Sequence, residues 1–377
     1  MADYKGIKGF KVQYLSADPS DPIIGQTWYN STSKNLKYTG VTTAGAWATG
    51  NNMNTARFEL GGVGTQTAGL AFGGYSPVSA ATEEYDGTSW TNSNNLNTAR
   101  EAFGGQAGIQ TAGLAFGGST TGSSAGNIGA TEEYDGNSWA TSPGSLNAAR
   151  GRMGGAGIQT AALAFGGRLA TVINTNATEE YDGNSWTSVN SMNTTRISLG
   201  SCGIQTAALA FGGEVPPNTG ATEEYNGTSW TTSNSLNTTR TNLSGAGTQT
   251  AGLAIGGYDG TANTGATEEY DGISWTSSPA SMSTARNNLA GCGTQAAGLG
   301  MGGYTTAVTN ITESYDGTSW TTLPGTLATA RGRVNLGPVG TQSSALLFGG
   351  FTGTAYSNAT EEWTAAGATV TKTITVS

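Results

Sequence analysis

Short stretches in which large and small residues alternate recur along most of this chain. In the stretch Thr67 to Phe72, Leu70 and Phe72 are large, whereas Gly69 and Ala71 are small. Because successive side chains of a β-strand point to opposite faces, such a strand has one knobbed face and one smooth face. Sheets built from these strands can stack on both sides, so the pattern predicts an all-β protein.

The alternating stretch belongs to a unit that recurs along the sequence. Each copy begins with a glutamine, a diglycine follows seven residues later, and successive copies are 44 to 49 residues apart. A period of this length with several short strands per copy is typical of the blades of a β-propeller. The seven glutamines are Gln66, Gln110, Gln159, Gln205, Gln249, Gln295 and Gln342.

Each copy predicts four antiparallel strands, as the first complete copy shows. The predicted strands are a (Phe58 to Gly64), b (Thr67 to Phe72), c (Thr82 to Tyr85) and d (Ser89 to Thr91). Asp86-Gly87 supplies the positive-φ turn that a tight hairpin needs between strands c and d. Strand a is rich in glycine, which we attribute to innermost strands that converge on a central axis and leave little room for side chains.

The seventh copy lacks its last strand. It supplies Arg331 and the sequence ending at Trp363, but no D-G-x-S-W follows. Near the N-terminus, Trp47 precedes Arg57 by ten residues, the same interval that separates the tryptophan and arginine of a complete copy. We therefore predict a seven-bladed β-propeller of four-stranded antiparallel blades whose last blade is closed by an N-terminal strand, which removes an exposed sheet edge.

Three segments follow from this arrangement. Residues 1–37 are predicted to form an N-terminal arm, residues 38–363 the propeller, and residues 364–377 a C-terminal tail. Alternation over residues 368–376 predicts one more strand in the tail, at the edge of the closing blade. The arm contains Lys5, Lys8, Lys11, Lys34 and Lys37, and no lysine lies in the propeller. This arm is either the part that docks onto a larger assembly or a solvated tail.

The order of the residues that recur in each copy resembles a known repeat. Arginine, glycine-rich strand, diglycine, E-x-Y-D and tryptophan follow one another over residues 38–363, and this order is similar to the kelch repeat. Sialidase-type Asp boxes place aspartate and tryptophan five residues apart, whereas Asp86 and Trp90 are four apart. The resemblance implies a propeller scaffold.

A second resemblance lies near the N-terminus. The segment Gly25 to Thr32, followed by Leu36-Lys37-Tyr38 and by Ala46-Trp47, resembles a segment of bacteriophage tail-fibre and virion-appendage proteins. The resemblance implies a virion structural protein that contacts other virion proteins through its arm. We expect assembly in the host cytoplasm without a signal peptide, and an extracellular location after release.

Composition excludes several classes of function. The formal net charge is -9, with 16 Lys and Arg against 25 Asp and Glu, which is the wrong sign for binding a phosphate backbone. Histidine is absent, which removes Ser-His-Asp catalysis and imidazole copper sites. Cys202 and Cys292 are the two cysteines, and we expect them to be small buried side chains rather than a disulfide. No stretch is long and apolar enough for membrane insertion. We expect no catalytic residue, metal or cofactor.

Two repeated features could carry chemistry or structure. Paired glutamates such as Glu83-Glu84 could act as the two carboxylates of a glycosidase. Because catalytic sites break symmetry, we favour a structural role in which one carboxylate of each pair, for example Glu84, meets a repeat arginine. Tryptophans such as Trp90 could stack on sugars, but packing between blades is the preferred interpretation. The glutamines are expected to bond backbone groups, with ligand contact as the alternative.

Residues that differ between copies are better candidates for function. Two residues after each repeat arginine the chain carries Glu59, Ala102, Arg152, Ser198, Asn242, Asn288 and Arg333. We predict a salt bridge between Glu59 and Arg333, which a ring would make neighbours. The loops between strands b and c vary most in length and all emerge on one rim, where recognition commonly resides. The receptor-facing candidates are Tyr75, Ser119, Arg168, Glu214, Tyr258, Tyr304 and Phe351.

These observations predict a non-enzymatic virion structural or appendage protein, a phage tail fibre or capsid-attached adhesin. It would present a propeller to a cell-surface glycan or protein receptor. The alternative is a carbohydrate-binding, lectin-like propeller, whose rim tyrosines would bind glycans. A hydrolase or oxidase is the weakest of the three hypotheses, because galactose-oxidase-like chemistry needs histidine ligands for copper.

Overall fold

The computed structural model describes residues 12–41, 45–101, 105–171, 173–333, 339–367 and 369–374. The chain divides into two compact units, one made of Met1–Ala46 with Thr364–Ser377 and the other of Trp47–Trp363. The residues from Thr364 onward thus group with the N-terminal segment. No helix in the described ranges is long and apolar enough to cross a membrane.

The described residues form β-strands and one short 3-10 helix, Ser124–Gly126. The strands before the first copy are β1 (Gln13–Leu15), β2 (Thr27–Asn30), β3 (Asn35–Val41) and β4 (Ala46–Thr49). The first two copies contain β5 (Gly61–Thr65), β6 (Ala68–Phe72), β7 (Thr82–Tyr85), β8 (Trp90–Ser93), β9 (Gly105–Ile109), β10 (Ala112–Phe116), β11 (Thr131–Tyr134) and β12 (Trp139–Thr141).

The following copies continue the same series. The third and fourth contain β13 (Arg150–Gly151), β14 (Gly154–Ile158), β15 (Ala161–Phe165), β16 (Arg168–Leu169), β17 (Thr178–Tyr181), β18 (Trp186–Val189), β19 (Gly200–Ile204), β20 (Ala207–Phe211), β21 (Thr222–Tyr225) and β22 (Trp230–Ser233). The remaining strands are β23 (Ser244–Thr248), β24 (Ala251–Ile255), β25 (Thr267–Tyr270), β26 (Trp275–Ser277), β27 (Ala290–Thr294), β28 (Ala297–Met301), β29 (Thr312–Tyr315), β30 (Trp320–Thr322), β31 (Ser344–Phe348), β32 (Thr360–Thr364) and β33 (Thr369–Ile374).

The N-terminal unit is a four-stranded sheet that joins the two ends of the chain. Strand β1 pairs in parallel with β2, β2 pairs antiparallel with β3, and β3 pairs antiparallel with β33. The strand predicted in the tail is therefore present over residues 369–374. Its predicted place at the edge of the closing blade is wrong, because its backbone hydrogen bonds go to β3.

A polar cluster organises one side of this small sheet. Asp18 accepts hydrogen bonds from Trp28 Nε1 at 2.9 Å, Asn30 Nδ2 at 2.7 Å and Lys37 Nζ at 2.5 Å. These donors, with Lys37 the largest influence, lower the pKa of Asp18 to about 2. The indole of Trp28 is fully buried. Lys5, Lys8 and Lys11 lie outside the described residues.

The larger unit consists of antiparallel sheets that repeat along the chain. Within the described residues, six of them have four strands, and another joins β31, β32 and β4 in that order. The short strands β13 and β16 pair in a separate two-stranded sheet, which is not numbered below. We number the others sheets 1 to 7 in chain order, from β5–β8 to β31–β32–β4. The N-terminal strand β4 therefore lies beside the strand that ends the seventh copy. The inner strand predicted for that copy falls on residues 334–338, outside the described residues.

The predicted strands of the first copy agree with the structure to within a few residues. Strand c is observed as β7 over the predicted residues, and Gly87 adopts a φ of 85° in the predicted turn. Strand a begins at Gly61 rather than Phe58, because Glu59 has a φ of 53° and interrupts the extended backbone.

The first strands of consecutive sheets contact one another, whereas the fourth strands lie at the opposite edge of each sheet. Each sheet thus presents one edge to an inner position and packs its faces on its neighbours. This arrangement of repeated antiparallel blades is a β-propeller.

Glycine recurs where strand a faces the phenylalanine of strand b. Gly61 is the register partner of Phe72, and a Cβ at Gly61 would lie 2.3 Å from the Phe72 ring. Where strand b carries the branched Ile255 instead, the partner position holds Ser244. The ring that packs on strand a therefore accounts for these glycines better than convergence on an axis. The other pairs are Gly105 with Phe116, Gly154 with Phe165, Gly200 with Phe211 and Ala290 with Met301.

Candidate functional site

The first glutamate of each pair, not the second, meets the repeat arginine. Arg57 Nη2 lies 3.0 Å from Glu83 Oε1, and both side chains are fully buried. The predicted charge pair is therefore confirmed, but its assignment to Glu84 is wrong. The equivalent pairs are Arg100–Glu132, Arg150–Glu179, Arg196–Glu223, Arg240–Glu268, Arg286–Glu313 and Arg331–Glu361.

Backbone groups complete the surroundings of these carboxylates. Glu223 accepts hydrogen bonds from Asn193 N at 2.5 Å, Thr194 N at 3.1 Å and Arg196 Nη2 at 3.1 Å. Burial lowers the pKa of Arg196 to about 10, which leaves the guanidinium protonated at neutral pH. Because every oxygen of the carboxylate is already bonded and buried, its surroundings fit a structural role and not that of a general acid.

The second glutamate of each pair accepts a hydrogen bond from a tyrosine of the next sheet. Tyr225 OH donates to Glu180 at 2.8 Å, and Tyr181 OH donates to Glu133 at 2.6 Å. In sheet 7 the tyrosine is replaced by Trp363, which has no hydroxyl, and sheet 6 has Ser314 in place of the glutamate. The two positions change together, so this glutamate also serves contacts between sheets.

The repeated tryptophans are buried between sheets. Trp230 Nε1 donates to Thr178 Oγ1 of the preceding sheet at 2.9 Å, and its ring lies 5.0 Å from that of Phe165. Its exposed fraction is 7%, so the ring is not available as a sugar platform. The glutamines likewise bond the backbone of the preceding sheet, as Gln205 does with Ala162 O at 3.1 Å and Tyr181 O at 2.7 Å.

Both cysteines are free thiols. Cys292 is buried, and burial raises its pKa to about 12. Cys202 is half-buried, with a pKa that burial also raises to about 12. Neither thiol is poised to react as a thiolate at neutral pH.

The loops between strands b and c all leave the sheets at the same end, which we call the loop face. Each loop begins at the diglycine, where Gly73 and Gly74 have φ values of 62° and 105°. Gly74 N donates to the carbonyl oxygen of Arg100 at 2.9 Å, so the next repeat arginine holds the start of the loop. The diglycine is therefore required by backbone geometry.

The predicted receptor-facing residues occupy equivalent positions on this face. Each lies directly after the diglycine and forms a β-bridge with the residue that follows a repeat arginine, as Tyr75 does with Phe58. Six of them are half-buried and accessible from the loop face, namely Tyr75, Arg168, Glu214, Tyr258, Tyr304 and Phe351. Ser119 differs, because its side chain is 2% exposed and donates to Ser123 O at 2.6 Å, so it supports the loop from within.

The variable residues after each arginine share an unusual backbone conformation. Glu59, Arg152, Ser198, Asn242, Asn288 and Arg333 all have φ values between 46° and 55°. The amide of Asn242 donates to Ser198 O at 3.1 Å, and that of Asn288 donates to Asn242 O at 3.0 Å. Bonds of the same kind join Ser198 to Arg152, Arg333 to Asn288 and Glu59 to Arg333. Ala102, the seventh member, lies outside the described residues.

The predicted salt bridge between the first and last copies is present. Arg333 Nη1 lies 3.2 Å from Glu59 Oε1, and the carboxylate is 6% exposed whereas the guanidinium is 49% exposed. Burial raises the pKa of Glu59 to about 7 against the opposing influence of Arg333, and the neighbouring Glu101 raises it further. Glu101 is itself buried, and burial raises its pKa.

Four aromatic rings gather at one part of the loop face, which we call the aromatic cluster. Phe58 stacks on Tyr356 with ring centroids 5.1 Å apart, and Tyr75 and Phe351 lie 5.6 and 5.9 Å from Phe58. Tyr356 is 40% exposed. Tyrosine and phenylalanine are enriched at the centres of binding surfaces, so this cluster has the composition of a contact site.

An open depression with a volume of about 640 Å³ lies beside the loops of sheets 5 and 6. We call it the polar pocket, and the lining residues that matter below are Tyr258, Asn263, Asn287, Asn288, Tyr304 and Arg333. Asn263 Nδ2 donates to Tyr304 O at 3.0 Å and to Thr305 O at 2.7 Å, which ties the two loops together. Asn288 Nδ2 donates to Asn287 Oδ1 at 3.2 Å.

Sequence reasoning found Tyr258 and Tyr304 but missed the amides between them. Asn287 follows a repeat arginine directly, and the other copies carry mostly apolar or small residues there. The signal in the sequence is that Asn287 is the one asparagine that directly follows a repeat arginine. The cavity depends on loop conformations that the repeat pattern does not specify.

Comparisons with known proteins bear on the fold. No family model matches the chain, and no curated protein matches it. Among solved structures, that of YjhT is similar with a TM-score of 0.57 and 13% sequence identity, and the match covers 73% of this chain and 99% of that chain. YjhT is a propeller-type protein, so the likeness agrees with the β-propeller described above. Identity this low carries no information about function.

Proposed function

We propose that the larger unit is a seven-bladed kelch-like propeller closed by β4. The contacts between sheets support this proposal, because Trp90 of sheet 1 donates to Thr360 of sheet 7 at 2.8 Å, as Trp230 does to Thr178. Trp47 of β4 donates to Thr312 of sheet 6, also at 2.8 Å. The same kind of bond thus recurs from each sheet to the one before it, including the pair formed by the ends of the repeats.

We propose further that the protein is a non-enzymatic binding protein that uses the loop face. One observation carries this proposal. The arginines, glutamates, tyrosines and tryptophans that repeat are committed to contacts within and between sheets, whereas residues that differ between copies lie on the loop face. A rigid repeated scaffold that carries variable loops is typical of recognition proteins.

The larger setting that we propose is a virion appendage, such as a tail fibre or a capsid-attached adhesin. The N-terminal segment from Gly25 to Trp47 supports it through its resemblance to phage appendage proteins. In this proposal the N-terminal unit contacts other virion proteins, and the loop face contacts a receptor on the host cell. The lectin-like alternative concerns the ligand of the same face.

Two measurements test this function. Mass spectrometry of purified virus particles should find the chain at a fixed ratio to the other structural proteins. Its presence in host cell extract alone, with none in particles, would contradict the virion setting.

The binding role is tested with the whole purified chain on intact host cells. We expect Tyr356→Ala, in the aromatic cluster, to weaken cell binding by at least tenfold. The matched control is Ile204→Ala, at an exposed hairpin between strands a and b, away from the loop face. Equal binding by both variants and the unchanged chain would show that the loop face is not the contact surface.

A further inference from the structure

The polar pocket has the size and the lining of a small-molecule site. Its volume of about 640 Å³ is large enough for a small ligand, and its open shape would leave one side of that ligand in solvent. Two tyrosine rings form part of its walls, and the side-chain amide nitrogen of Asn287 and the hydroxyl of Thr306 are the polar groups for a ligand. The side-chain amides of Asn263 and Asn288 and the hydroxyl of Thr305 already donate hydrogen bonds within these loops. Hydroxyl-rich ligands need this combination of aromatic surface and adaptable hydrogen bonding.

The charges at the pocket are balanced. None of the lining residues is an aspartate or glutamate, and Arg333 is the one formally charged residue among them. At pH 8 its guanidinium is neutralised by Glu59, which is buried behind it and whose pKa is about 7. A pocket with one neutralised cation offers little attraction to an anionic ligand, so its chemistry favours an uncharged one.

The pocket is a feature of one place in the ring of sheets and not of the repeat. Gly332 makes room for it, because a Cβ at Gly332 would lie 2.3 Å from Tyr304 Cε2. Phe58, at the position equivalent to Gly332, packs into the aromatic cluster instead. Asn287 also has no asparagine counterpart in another copy.

We propose that the polar pocket binds an uncharged saccharide, with the ring of Tyr258 or Tyr304 against the sugar face and the amide of Asn287 bonded to its hydroxyls. This inference rests on the proposed binding role of the loop face and assigns a ligand class to it. A neutral surface polysaccharide of the host cell is the receptor chemistry that follows.

The test is an array of purified neutral and acidic oligosaccharides, including fragments of bacterial surface polysaccharides, probed with the whole chain at pH 8. We expect binding to one or more neutral oligosaccharides. Asn287→Ala and Gly332→Ala should each weaken that binding by at least tenfold. Asn94→Ala, which removes an exposed amide outside the pocket, should leave it unchanged.

Three results would overturn the proposal, provided that thermal melting shows the variants to be folded. They are binding to acidic oligosaccharides alone, binding that both pocket variants retain, and no binding to any oligosaccharide on the array. If Gly332→Ala does not fold, Tyr258→Ala replaces it, because the Tyr258 hydroxyl donates to Gly260 O of its own loop. Host-cell binding distinguishes the proposed role of the loop face from the proposed saccharide site. If Tyr356→Ala loses binding to host cells and Asn287→Ala keeps it, the loop face is supported as the contact surface and the saccharide site is rejected.

Discussion

At the scale of single residues, the two glutamates of each pair differ in what they contact. Glu223 is fully buried and balances Arg196, whereas Glu224 accepts one hydrogen bond from Tyr270 and is half-buried. Removal of one partner from a buried ion pair leaves an uncompensated charge, and this is far more costly than the pair is favourable. The two adjacent glutamates therefore contribute unequally to the stability of the fold.

The pair predicts a large difference between two neighbouring substitutions. Glu223→Gln should lower the free energy of unfolding by about 3 kcal/mol, because Arg196 remains charged in a buried site. Glu224→Gln should lower it by less than about 1 kcal/mol, since the amide oxygen still accepts from Tyr270. Urea denaturation followed by tryptophan fluorescence measures both, and equal losses would contradict the assignment.

The salt bridge between Glu59 and Arg333 predicts a pH-dependent effect. Burial raises the pKa of Glu59 to about 7 in the folded protein, from an ordinary value of 4.5. Between pH 4.5 and pH 7 this carboxyl therefore takes up a proton when the chain folds. Its contribution to stability is greatest at low pH and falls as pH rises through that window. Arg333, Glu101 and Arg152 are the charged groups that face it.

Arg333→Gln should therefore cost more stability at pH 8, where Glu59 is charged and loses its partner, than at pH 5. We expect a loss of about 1–3 kcal/mol at pH 8 and less than half of that at pH 5. Adding Glu59→Gln should restore most of the loss. Thermal melting at the two pH values measures this, and an identical loss at both values would refute the coupling.

At the scale of elements, the sequence predicts most of each strand but not what its residues contact. Strand c and its turn are predicted well because Asp86-Gly87 and the period-two pattern are local signals. The choice between Glu83 and Glu84 depends on which face of the sheet meets the arginine, and a one-residue shift reverses it. The positive φ of Glu59 is likewise not predictable from the sequence, because glutamate has no preference for that backbone conformation.

The pairing of glycine with phenylalanine across strands a and b gives a test at this scale. Gly200→Ala should lower the free energy of unfolding by about 1–3 kcal/mol, because its Cβ would lie 2.4 Å from the Phe211 ring. Adding Phe211→Ile should recover part of the loss, since sheet 5 has Ile255 opposite Ser244.

Gly155→Ala is the matched control for this test. Its Cβ would lie 3.4 Å from the nearest ring atom, that of Phe116 Cζ, so its effect should be smaller. Denaturant unfolding of the three variants and the unchanged chain measures the differences. A greater loss in the double variant than in Gly200→Ala alone would contradict the proposed packing.

At the scale of the whole molecule, the hydrogen bonds between sheets make the stability of the larger unit sensitive to high pH. Burial raises the pKa of six tyrosines above its ordinary value, and their glutamate acceptors raise it further: Tyr85, Tyr134, Tyr181, Tyr225, Tyr270 and Tyr315. These groups stay protonated in the folded state where the unfolded chain has lost its protons. The contribution of these tyrosines to folding stability is complete below pH 10 and is lost as the pH rises above 10.

We therefore predict cooperative unfolding above pH 10. Tyrosinate absorbance should rise in two steps, first from the exposed tyrosines and then together with the loss of tryptophan burial. In the variant Tyr225→Phe, which removes one of these hydroxyls, the second step should be smaller by one tyrosine. A single smooth titration with no accompanying unfolding would contradict this account.

The repeat predicted the antiparallel blades, because a period is a property of the whole sequence. The pairing of β33 with β3 was not predictable from the sequence. The alternation of residues in β33 indicates a strand but does not specify which exposed sheet edge it pairs with. The polar pocket was only half predicted, because a cavity depends on loop conformation more than on residue type.

The most direct test of the central claim is an experimental density map of the purified chain. The account predicts seven sheets around one axis, with the strand that contains Trp47 paired to the strand that ends at Thr364, so that its indole lies against Trp363. A different number of sheets, or Trp47 placed in any other sheet, would contradict it.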